Sequence, residues 1–309
     1  MPKSFRPIVL LNTLGKLIKN VIGNRLQFHT IFNNFIYWSQ LGGFKFKSTT
    51  DIGIALRHII YSGWVKNLST NTLEFDIAQF FPSLNHCFLS LILEKTRFNQ
   101  QVVKFFLSNL IGRKIHYFWN SFILPSFDIN VGVGQGSALS PILLALYLLP
   151  FFHILENCLK ILKIPISTLS FIDNGLLIAQ SKYLYLSNSN LYFSYNIMSN
   201  LLSKFGLIVE HLKIEVFHFS RLHGSSNFPL LNLSLIGGPI LHPKDSWRYL
   251  GFFFDKKLLF HQYIDYYSNK VISTVKCMKI LGNSVWGLNL HQKCLLYWSC
   301  VLPIALYGL

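Results

Sequence analysis

The chain has 309 residues, of which 51% are hydrophobic and only 13% are charged. This balance predicts a folded protein with a sizeable core and excludes an intrinsically disordered chain. Lysine and arginine number 28 against 12 aspartates and glutamates, which gives a formal net charge of +16 at pH 7. We expect a folded protein this basic to meet a polyanion. The alternative is a solvated surface whose charge only keeps the chain soluble.

Cysteine usage and apolar stretches bear on the compartment. The five cysteines form no CxxC pair, which predicts reduced thiols in an intracellular compartment and neither a disulfide framework nor a zinc site. Arg6 and Pro7 interrupt the start of the chain, so no signal peptide is predicted. The apolar stretch 138–155 contains Pro141 and Pro150, and a membrane span needs about 20 apolar residues, so a buried helix is the better interpretation. Because both ends fall within patterned sequence, we expect a piece of a longer polyprotein.

The first half of the chain alternates helical and extended patterns. In chain order, the predicted elements are a helix over residues 10–26, a glycine-rich basic loop over 40–51, a helix running to about Trp64, a strand over 73–76 and a helix opening at Pro82 and Ser83. Residues 48–51 are Ser-Thr-Thr-Asp, types that cap helix N-termini, so the second helix is expected to begin there.

The second half adds a hairpin and further strands. In chain order, the predicted elements are a glycine-rich turn over 132–136, an apolar helix from near Pro141, a hairpin over 167–179, a helix over 191–205, an alternating strand over 207–219, a loop over 221–227, a strand over 248–254 with a turn at 255–257, and helices to the end. The Asp173-Asn174-Gly175 run is the predicted hairpin turn. The order strand, helix, hairpin, helix, strand predicts an α+β fold with a split βαβ sheet backed by helices.

Two aspartates stand out because acids are scarce. Asp76 ends a predicted buried strand, and Asp173 lies at the predicted hairpin tip. Singly, each has an ordinary structural interpretation, Asp76 as a helix cap and Asp173 as a turn residue. Together, two carboxylates at the ends of adjacent strands can hold two divalent ions about 3.5–4 Å apart, the arrangement used for in-line phosphoryl displacement.

Seven ordered segments resemble the motifs of reverse transcriptases from non-LTR (LINE-type) retrotransposons. They are residues 4–8 with 10–16 (SFRPI, LLNTLGK), 40–43 with 47–51 (QLGG, KSTTD), 75–86 (FDIAQFFPSLNH, motif A), 132–141 (GVGQGSALSP, motif B), 170–174 (SFIDN, motif C), 205–207 with Lys213 (motif D) and 247–251 (WRYLG, motif E). The resemblance implies a right-hand polymerase. Its implied regions are partial fingers over 1–65, a palm over 66–220, a motif E hairpin or primer grip over 221–260, and a truncated helical palm–thumb connection over 261–309.

The resemblance implies a catalytic set built on the two aspartates. Asp76, the main-chain carbonyl of Ile77 and Asp173 would bind two Mg²⁺ ions, with Mn²⁺ as an alternative. Lys213 would donate a proton to departing pyrophosphate; a solvated strand lysine is its ordinary interpretation. Asn174 occupies the place of a second motif C aspartate. An Asn brings no negative charge, so we expect a severe loss of activity.

The resemblance also implies contacts with substrate. Phe81 would be the steric gate against a ribose 2′-OH, or otherwise a core aromatic. Gln135 and Gly136 would line the nucleotide and template site, or otherwise form an ordinary loop. Lys45 and Lys47 would meet the triphosphate.

The remaining implied contacts concern the primer and template. Trp247, Tyr249, Leu250 and Gly251 would steady the primer end, or otherwise form a plain hydrophobic strand. Lys16, like Arg6, is a candidate for template phosphate, although a surface position fits it equally well. The implied partners are an RNA template, a DNA primer and deoxynucleoside triphosphates, with no membrane, and the family implies a nuclear location.

Two other hypotheses remain open. The departure at Asn174 favours a catalytically impaired nucleic-acid-binding remnant, which keeps the basic channel but not the metal site. Gly134, in place of the usual proline, is expected to loosen the motif B turn at modest cost. A basic membrane-surface protein is the third hypothesis. Primer extension separates the first two, and vesicle binding tests the last.

Overall fold

The computed structural model describes residues 12–96, 98–115, 118–119, 122–123, 125–221, 231–232, 240–281 and 287–308. The SFRPI segment with Arg6, and most of the loop predicted over 221–227, lie outside the described residues.

The predicted helices and strands occur in the expected order. The helices are α1 (Thr13–Phe32), α2 (Thr49–Val65), α3 (Phe80–Ser83), α4 (His86–Lys95), α5 (Gln100–Leu110), α6 (Ser140–Ile161), α7 (Leu184–Lys204), α8 (His261–Ile280), α9 (Leu290–Leu296) and α10 (Leu302–Ala305), with a 3₁₀ turn at His211–Lys213 and a π-helical turn at Tyr297–Val301. The strands are β1 (Ser69–Ala78), β2 (Arg113–Ile115), β3 (Phe118–Trp119), β4 (Phe122–Ile123), β5 (Phe127–Ile129), β6 (Ile166–Phe171), β7 (Asn174–Ser181), β8 (Ile208–Val209), β9 (Glu215–Phe219), β10 (Leu231–Asn232), β11 (Ile240–Leu241), β12 (Ser246–Tyr249) and β13 (Phe252–Asp255). Of these, α5, β2 to β5, β10 and β11 are additional elements that the sequence did not predict.

A five-stranded antiparallel sheet, called the palm sheet here, is the centre of the fold. Its strands run in the order β6, β7, β1 and β8, and β9 also pairs with β1. The β1–β7 register extends from the Ser69–Ser181 pair to the Asp76–Asn174 pair. The α+β architecture with a helix-backed palm is therefore confirmed.

Both faces of the palm sheet are covered, and alternation along β1 assigns each side chain to a face. Leu73, Phe75 and Ile77 pack into a core with α4, α5, α6 and α7. On the opposite face, α2 and the β12–β13 hairpin cover the sheet and form a second core that includes Trp247. Glu74 alternates with its apolar neighbours and therefore faces the hairpin side.

The hairpin predicted over 167–179 is present as β6–β7, but its turn was misplaced. The turn residues are Ile172, with a φ of 60°, and Asp173, and Phe171 pairs with Asn174. Gly175 lies inside β7 opposite Phe75 and not in the turn. A Cβ at Gly175 would collide with the Phe75 ring, so packing across β1 explains this glycine.

Three other predicted boundaries were wrong because the chain interrupts its own pattern. The helix expected from Pro82 is split into α3 and α4, and the Asn85 side chain caps the second at the Phe88 amide, 3.1 Å away. The strand expected over 207–219 is broken by a 3₁₀ turn. The strand expected over 248–254 is a hairpin that turns at Leu250 and Gly251, where φ is 48° and 90°.

Helices α2 and α6 follow the sequence prediction closely. Ser48 caps α2 in a capping box with Asp51, as its residue types predict. Within the described part of the chain, α6 is the one helix long and apolar enough to cross a membrane, yet 61% of its most apolar window is buried in the protein. It packs against α1, α4 and α7, so a core helix accounts for its composition. All five cysteines are free thiols.

Candidate active site

The two aspartates singled out in the sequence lie at one end of the palm sheet, where β1 ends and β7 begins. This end of the sheet is called the catalytic edge below. Asp76 lies near the end of β1, directly opposite Asn174 on β7. The Ile77 amide donates to the carbonyl oxygen of Asp173 over 3.1 Å, which locks the β6–β7 turn beside β1. Both aspartates are half-buried. Strand pairing therefore brings the two acids together.

Lys213 belongs to the same edge. The Lys213 ammonium forms an ion pair with the Asp76 carboxylate, and its side chain is 56% exposed against 15% for Asp76. The Glu210 amide donates to the Asp76 carbonyl oxygen over 2.8 Å, so the chain turns back onto the end of β1 just before the 3₁₀ turn. The lysine predicted from motif D thus lies in direct contact with the aspartate predicted from motif A.

The donor set of this edge consists of oxygen atoms. Asp76 and Asp173 offer carboxylates and Asn174 an amide oxygen, which are ligands that Mg²⁺ accepts. Within the described residues, no group of three or more His, Cys, Asp or Glu side chains stands ready to hold a metal ion. The donor types fit a divalent cation, while the site carries one negative charge fewer than an Asp-Asp motif C would give.

A third acid, Glu74, lies two positions before Asp76 on the same face of β1. Its carboxylate accepts a hydrogen bond from the Trp247 indole over 2.6 Å. The pKa of Glu74 is raised to about 7, chiefly by burial; the nearby Glu215 and Asp76 charges add to the rise, while the Trp247 hydrogen bond and Lys244 oppose it. Sequence reasoning missed Glu74, although its spacing from Asp76 along a strand was the available signal.

Motif A and motif B are joined by backbone hydrogen bonds. The Phe81 carbonyl accepts from the Val133 amide over 2.7 Å, and the Leu84 carbonyl accepts from the Gly132 amide over 2.7 Å. Gly132 has a φ of 77°, and a Cβ there would lie 2.5 Å from the Pro82 backbone. The segment that carries the predicted steric gate is therefore seated directly on the motif B turn.

Further along motif B, the predicted nucleotide contacts remain accessible. Gln135 is half-buried, and Gly136 is exposed with a φ of 100°. Phe81 is half-buried and packs at the margin of the helical core, which is compatible with both of its interpretations.

Sequence reasoning missed Arg113 and gave no role to His86, the last residue of motif A. The Arg113 guanidinium donates to the carbonyl oxygens of Gly132, over 2.6 Å, and Val131, over 2.9 Å. The His86 ring contacts the Gly132 carbonyl at 2.7 Å. Arg113 thus binds two successive carbonyls at the start of motif B. No sequence pattern marks this arginine, because it follows α5 and lies outside every motif.

The basic loop over 40–51 lies along motif C. The Leu41 amide donates to the Ser170 carbonyl over 2.8 Å, and a Cβ on Gly42 would lie 2.6 Å from the Ile172 amide nitrogen. Lys45 and Lys47 are exposed beyond this anchored segment. Lys16 is exposed on α1.

The motif E hairpin presents a buried face to the palm sheet. Trp247 and Tyr249 are 1% and 0% exposed, and their rings stack 5.0 Å apart. Their side chains therefore hold the hairpin against the sheet and do not face the solvent from which a primer would approach. The turn carbonyls of Leu250 and Gly251 accept hydrogen bonds from tyrosines that follow in the chain, over 2.7 and 3.0 Å.

Comparisons with known proteins agree with this geometry. The family model described as "Reverse transcriptase (RNA-dependent DNA polymerase)" matches residues 1–254. The chain is 22% identical over 311 residues to the retrovirus-related Pol polyprotein from type-1 retrotransposable element R1 of Bradysia coprophila, covering 99% of the chain and 29% of that protein. It is 25% identical over 320 residues to the probable RNA-directed DNA polymerase from transposon BS of Drosophila melanogaster, covering 100% and 33%. The chain thus spans about a third of these relatives.

Solved structures with the same fold include two telomerases. The telomerase of Candida tropicalis in complex with a TWJ fragment of telomeric RNA superposes with a TM-score of 0.57 at 13% identity, covering 94% of the chain and 46% of that structure. The corresponding Candida albicans structure gives a TM-score of 0.54 at 13% identity, covering 84% and 43%. At this identity the likeness concerns the fold alone.

Proposed function

The chain belongs to the reverse transcriptase family, and we propose that it is the polymerase core of a non-LTR retrotransposon protein that copies RNA into DNA. The observation that carries this proposal is the pairing of Asp76 opposite Asn174, with the Ile77 amide bound to Asp173. Asp76 and Asp173 therefore lie beside each other where β1 pairs with β7. The chain spans about a third of its relatives, so the proposal concerns the polymerase core.

In the proposed reaction, the 3′-OH of a DNA primer attacks the α-phosphate of a deoxynucleoside triphosphate opposite an RNA template. A new phosphodiester bond forms, the bond to the β-phosphate breaks, and pyrophosphate leaves. The primer would be a nicked chromosomal strand, which implies action in the nucleus.

Asp76, the Ile77 carbonyl and Asp173 would hold two Mg²⁺ ions, or Mn²⁺ in their place. The ions supply electrostatic stabilisation of the charge that develops on the reacting phosphate. Lys213, which forms an ion pair with Asp76, would deliver a proton to departing pyrophosphate.

Binding of the incoming nucleotide would fall to the elements around motif B. Phe81, fixed through its carbonyl to Val133, would narrow the space for a ribose 2′-OH. Gln135 and Gly136 would line the base and sugar. Lys45 and Lys47 would meet the triphosphate as exposed point charges.

A second candidate function is that of a nucleic-acid-binding remnant without polymerase activity. Asn174 favours it, because the residue opposite Asp76 carries no negative charge. The Lys213 ammonium, which neutralises Asp76, favours it as well. The net charge of +16 would be retained for binding RNA or an RNA–DNA hybrid.

Primer extension on an RNA template separates the two candidates. We expect weak incorporation by the natural chain, a gain of about tenfold or more for Asn174→Asp, and no incorporation by Asp76→Ala. Salt-dependent hybrid binding by all three, without incorporation by any, would favour the remnant. If Asn174→Asp gains nothing and Asp76→Ala loses nothing, the assignment of the site is wrong.

A further inference from the structure

We infer that Glu74 is a positioning residue that fixes the motif E hairpin relative to Asp76. The inference rests on the proposed function, and it takes from the resemblance to motif E the expectation that the hairpin as a whole supports the primer end. It concerns a contact within this chain, and that contact joins the strand that carries Asp76 to the hairpin β12–β13.

The position of Glu74 on β1 sets one end of this link. Glu74 pairs with Leu176 on β7 and with Glu215 on β9, so it lies at the centre of the palm sheet and not at an edge. Asp76 follows two positions later on the same face, about 7 Å along the strand. A rigid, hydrogen-bonded strand therefore connects the two carboxylates.

The Trp247 indole is the other end of the link. It is 1% exposed, and its N–H donates to the Glu74 carboxylate over 2.6 Å. The Trp247 ring stacks between Phe217, at 5.8 Å, and Tyr249, at 5.0 Å. These ring contacts fix the position of the indole within the hairpin. Its hydrogen bond to Glu74 therefore fixes the position of the hairpin relative to β1.

Tyr249 extends the contact toward the catalytic edge. Its hydroxyl is buried and has no hydrogen-bond partner within the described structure. Burial raises the pKa of Tyr249 well above its ordinary value, and the Glu74 and Asp173 charges both add to the shift. Trp247 and Tyr249 share one face of β12, and through Trp247 that face of the hairpin meets Glu74.

The turn of the hairpin is fastened to later parts of the chain and not to the palm. Tyr267 on α8 and Tyr307 donate to the two turn carbonyls. Within the described part of the chain, the Glu74 hydrogen bond joins the hairpin directly to β1, whereas Lys244, which precedes the hairpin, contacts Glu215 on β9. A buried carboxylate is costly to keep, and its loss would leave a buried indole N–H without an acceptor.

The inference predicts different effects on the KM values of the two substrates, the primer–template hybrid and the nucleotide. We expect the loss of this buried hydrogen bond to raise the KM for the primer–template hybrid by about tenfold. The KM for the nucleotide is expected to change less than about twofold, because motif B and the basic loop are anchored independently.

The experiment uses the full chain with Asn174→Asp as parent. Glu74→Leu removes the acceptor, Trp247→Phe keeps the ring but removes the donor, and Glu74→Gln restores an acceptor without charge. Thr72→Val is the matched control, since Thr72 lies on the same face of β1 and bonds the Phe217 carbonyl rather than the hairpin. The readouts are the KM for the hybrid, the KM for the nucleotide, and hybrid affinity by fluorescence anisotropy without nucleotide.

We expect Glu74→Leu and Trp247→Phe to weaken hybrid binding alike and non-additively, Glu74→Gln to recover most of the loss, and Thr72→Val to match the parent. Equal changes in both KM values, additive effects, or no rescue by Gln would overturn the inference. A parent that binds hybrid but incorporates nothing contradicts the proposed function alone, and anisotropy then decides the role of Glu74. If Glu74→Leu does not fold, Trp247→Phe and Glu74→Gln test the same hydrogen bond from its two sides.

Discussion

The two halves of β1 treat polar side chains in opposite ways. Near its beginning, Asn71 is 1% exposed and donates to Ser187 over 2.8 Å and to Asn188 over 2.5 Å. Its amide oxygen accepts from the ring of His218, which is itself buried. Near its end, Asp76 meets an exposed lysine across an accessible edge.

The difference suggests that the beginning of β1 serves the stability of the fold, and that its end serves the proposed reaction. The Asn71 cluster is enclosed. Removing one member would leave its partners buried without that hydrogen bond, so the cluster contributes to the stability of the fold. The Asp76 edge stays open to solvent, where an ion pair adds little stability and ligands can replace it. Changes at one end should therefore register in unfolding, and changes at the other in catalysis.

The largest expected effect is catalytic. In the Asn174→Asp chain, Asp76→Asn should lower primer extension by on the order of 10²–10³-fold, because a carboxylate beside the reacting phosphate is lost. The free energy of unfolding should change by less than about 1 kcal/mol. Denaturant titration beside single-nucleotide incorporation measures both. A large loss of stability would mean that the edge is structural, which would erase the contrast between the two ends of β1.

Asn71→Leu is expected to give the reverse pattern. It leaves His218, Ser187 and Asn188 without their shared partner and should destabilise the fold by about 3 kcal/mol. Hybrid binding at low temperature should persist, since the cluster lies five residues from Asp76 on β1. Urea unfolding monitored by circular dichroism checks the first statement and anisotropy the second. Undiminished stability would show that the cluster is dispensable.

The same cluster predicts a pH dependence of stability. Burial, with a contribution from Lys256, lowers the pKa of His218 from 6.5 to about 4. The unfolded ring takes up a proton below pH 6.5 and the folded ring only near pH 4, so this contribution is complete above pH 6.5 and is lost between pH 6.5 and 4. The loss should reach roughly 3 kcal/mol at most.

His218→Gln is the control for this dependence, because an amide can still donate to Asn71 but does not titrate. Its unfolding free energy should be flatter than that of the parent between pH 6.5 and 4. Parallel curves for the two chains would assign the acid sensitivity to other groups.

The smallest expected effect concerns Lys213. Lys213→Met removes an ion pair whose lysine is 56% exposed, and the unfolding free energy should change by less than about 1 kcal/mol. The difference should shrink further in 1 M NaCl, because salt screens exposed charges. A change as large as that of Asn71→Leu would contradict the assignment of stability to the enclosed end.

Local patterns were sufficient for the elements that depend on nearby residues. The capping box of α2, the apolar run of α6 and the alternation of β1 all follow from residues a few positions apart. The convergence of Asp76 and Asp173 followed from the ordered motifs. The implied roles of Phe81 and Gln135, and the boundaries of fingers, palm and connection, stay predictions.

The missed features depend on contacts between distant parts of the chain. The turn at Ile172 and Asp173 displaced the expected Asn-Gly turn because the Phe75 ring needs the space beside Gly175. Glu74 and Trp247 are 173 positions apart, so no local pattern could pair them. Arg113 was missed for the same reason, since its acceptors lie in the motif B segment.

Gly175 has a consequence for which substitutions this part of the sheet can tolerate. The Phe75 ring fits only opposite a residue without a side chain, so β1 and β7 have a single alignment, and a slip of one position would drive the ring into a neighbour's side chain. The relative position of Asp76 and Asn174 thus depends on an aromatic ring and a glycine that have no role in the proposed reaction. Asn174 removes one negative charge from this place without disturbing the alignment of β1 and β7, so the Asn174→Asp change proposed above would meet an intact scaffold.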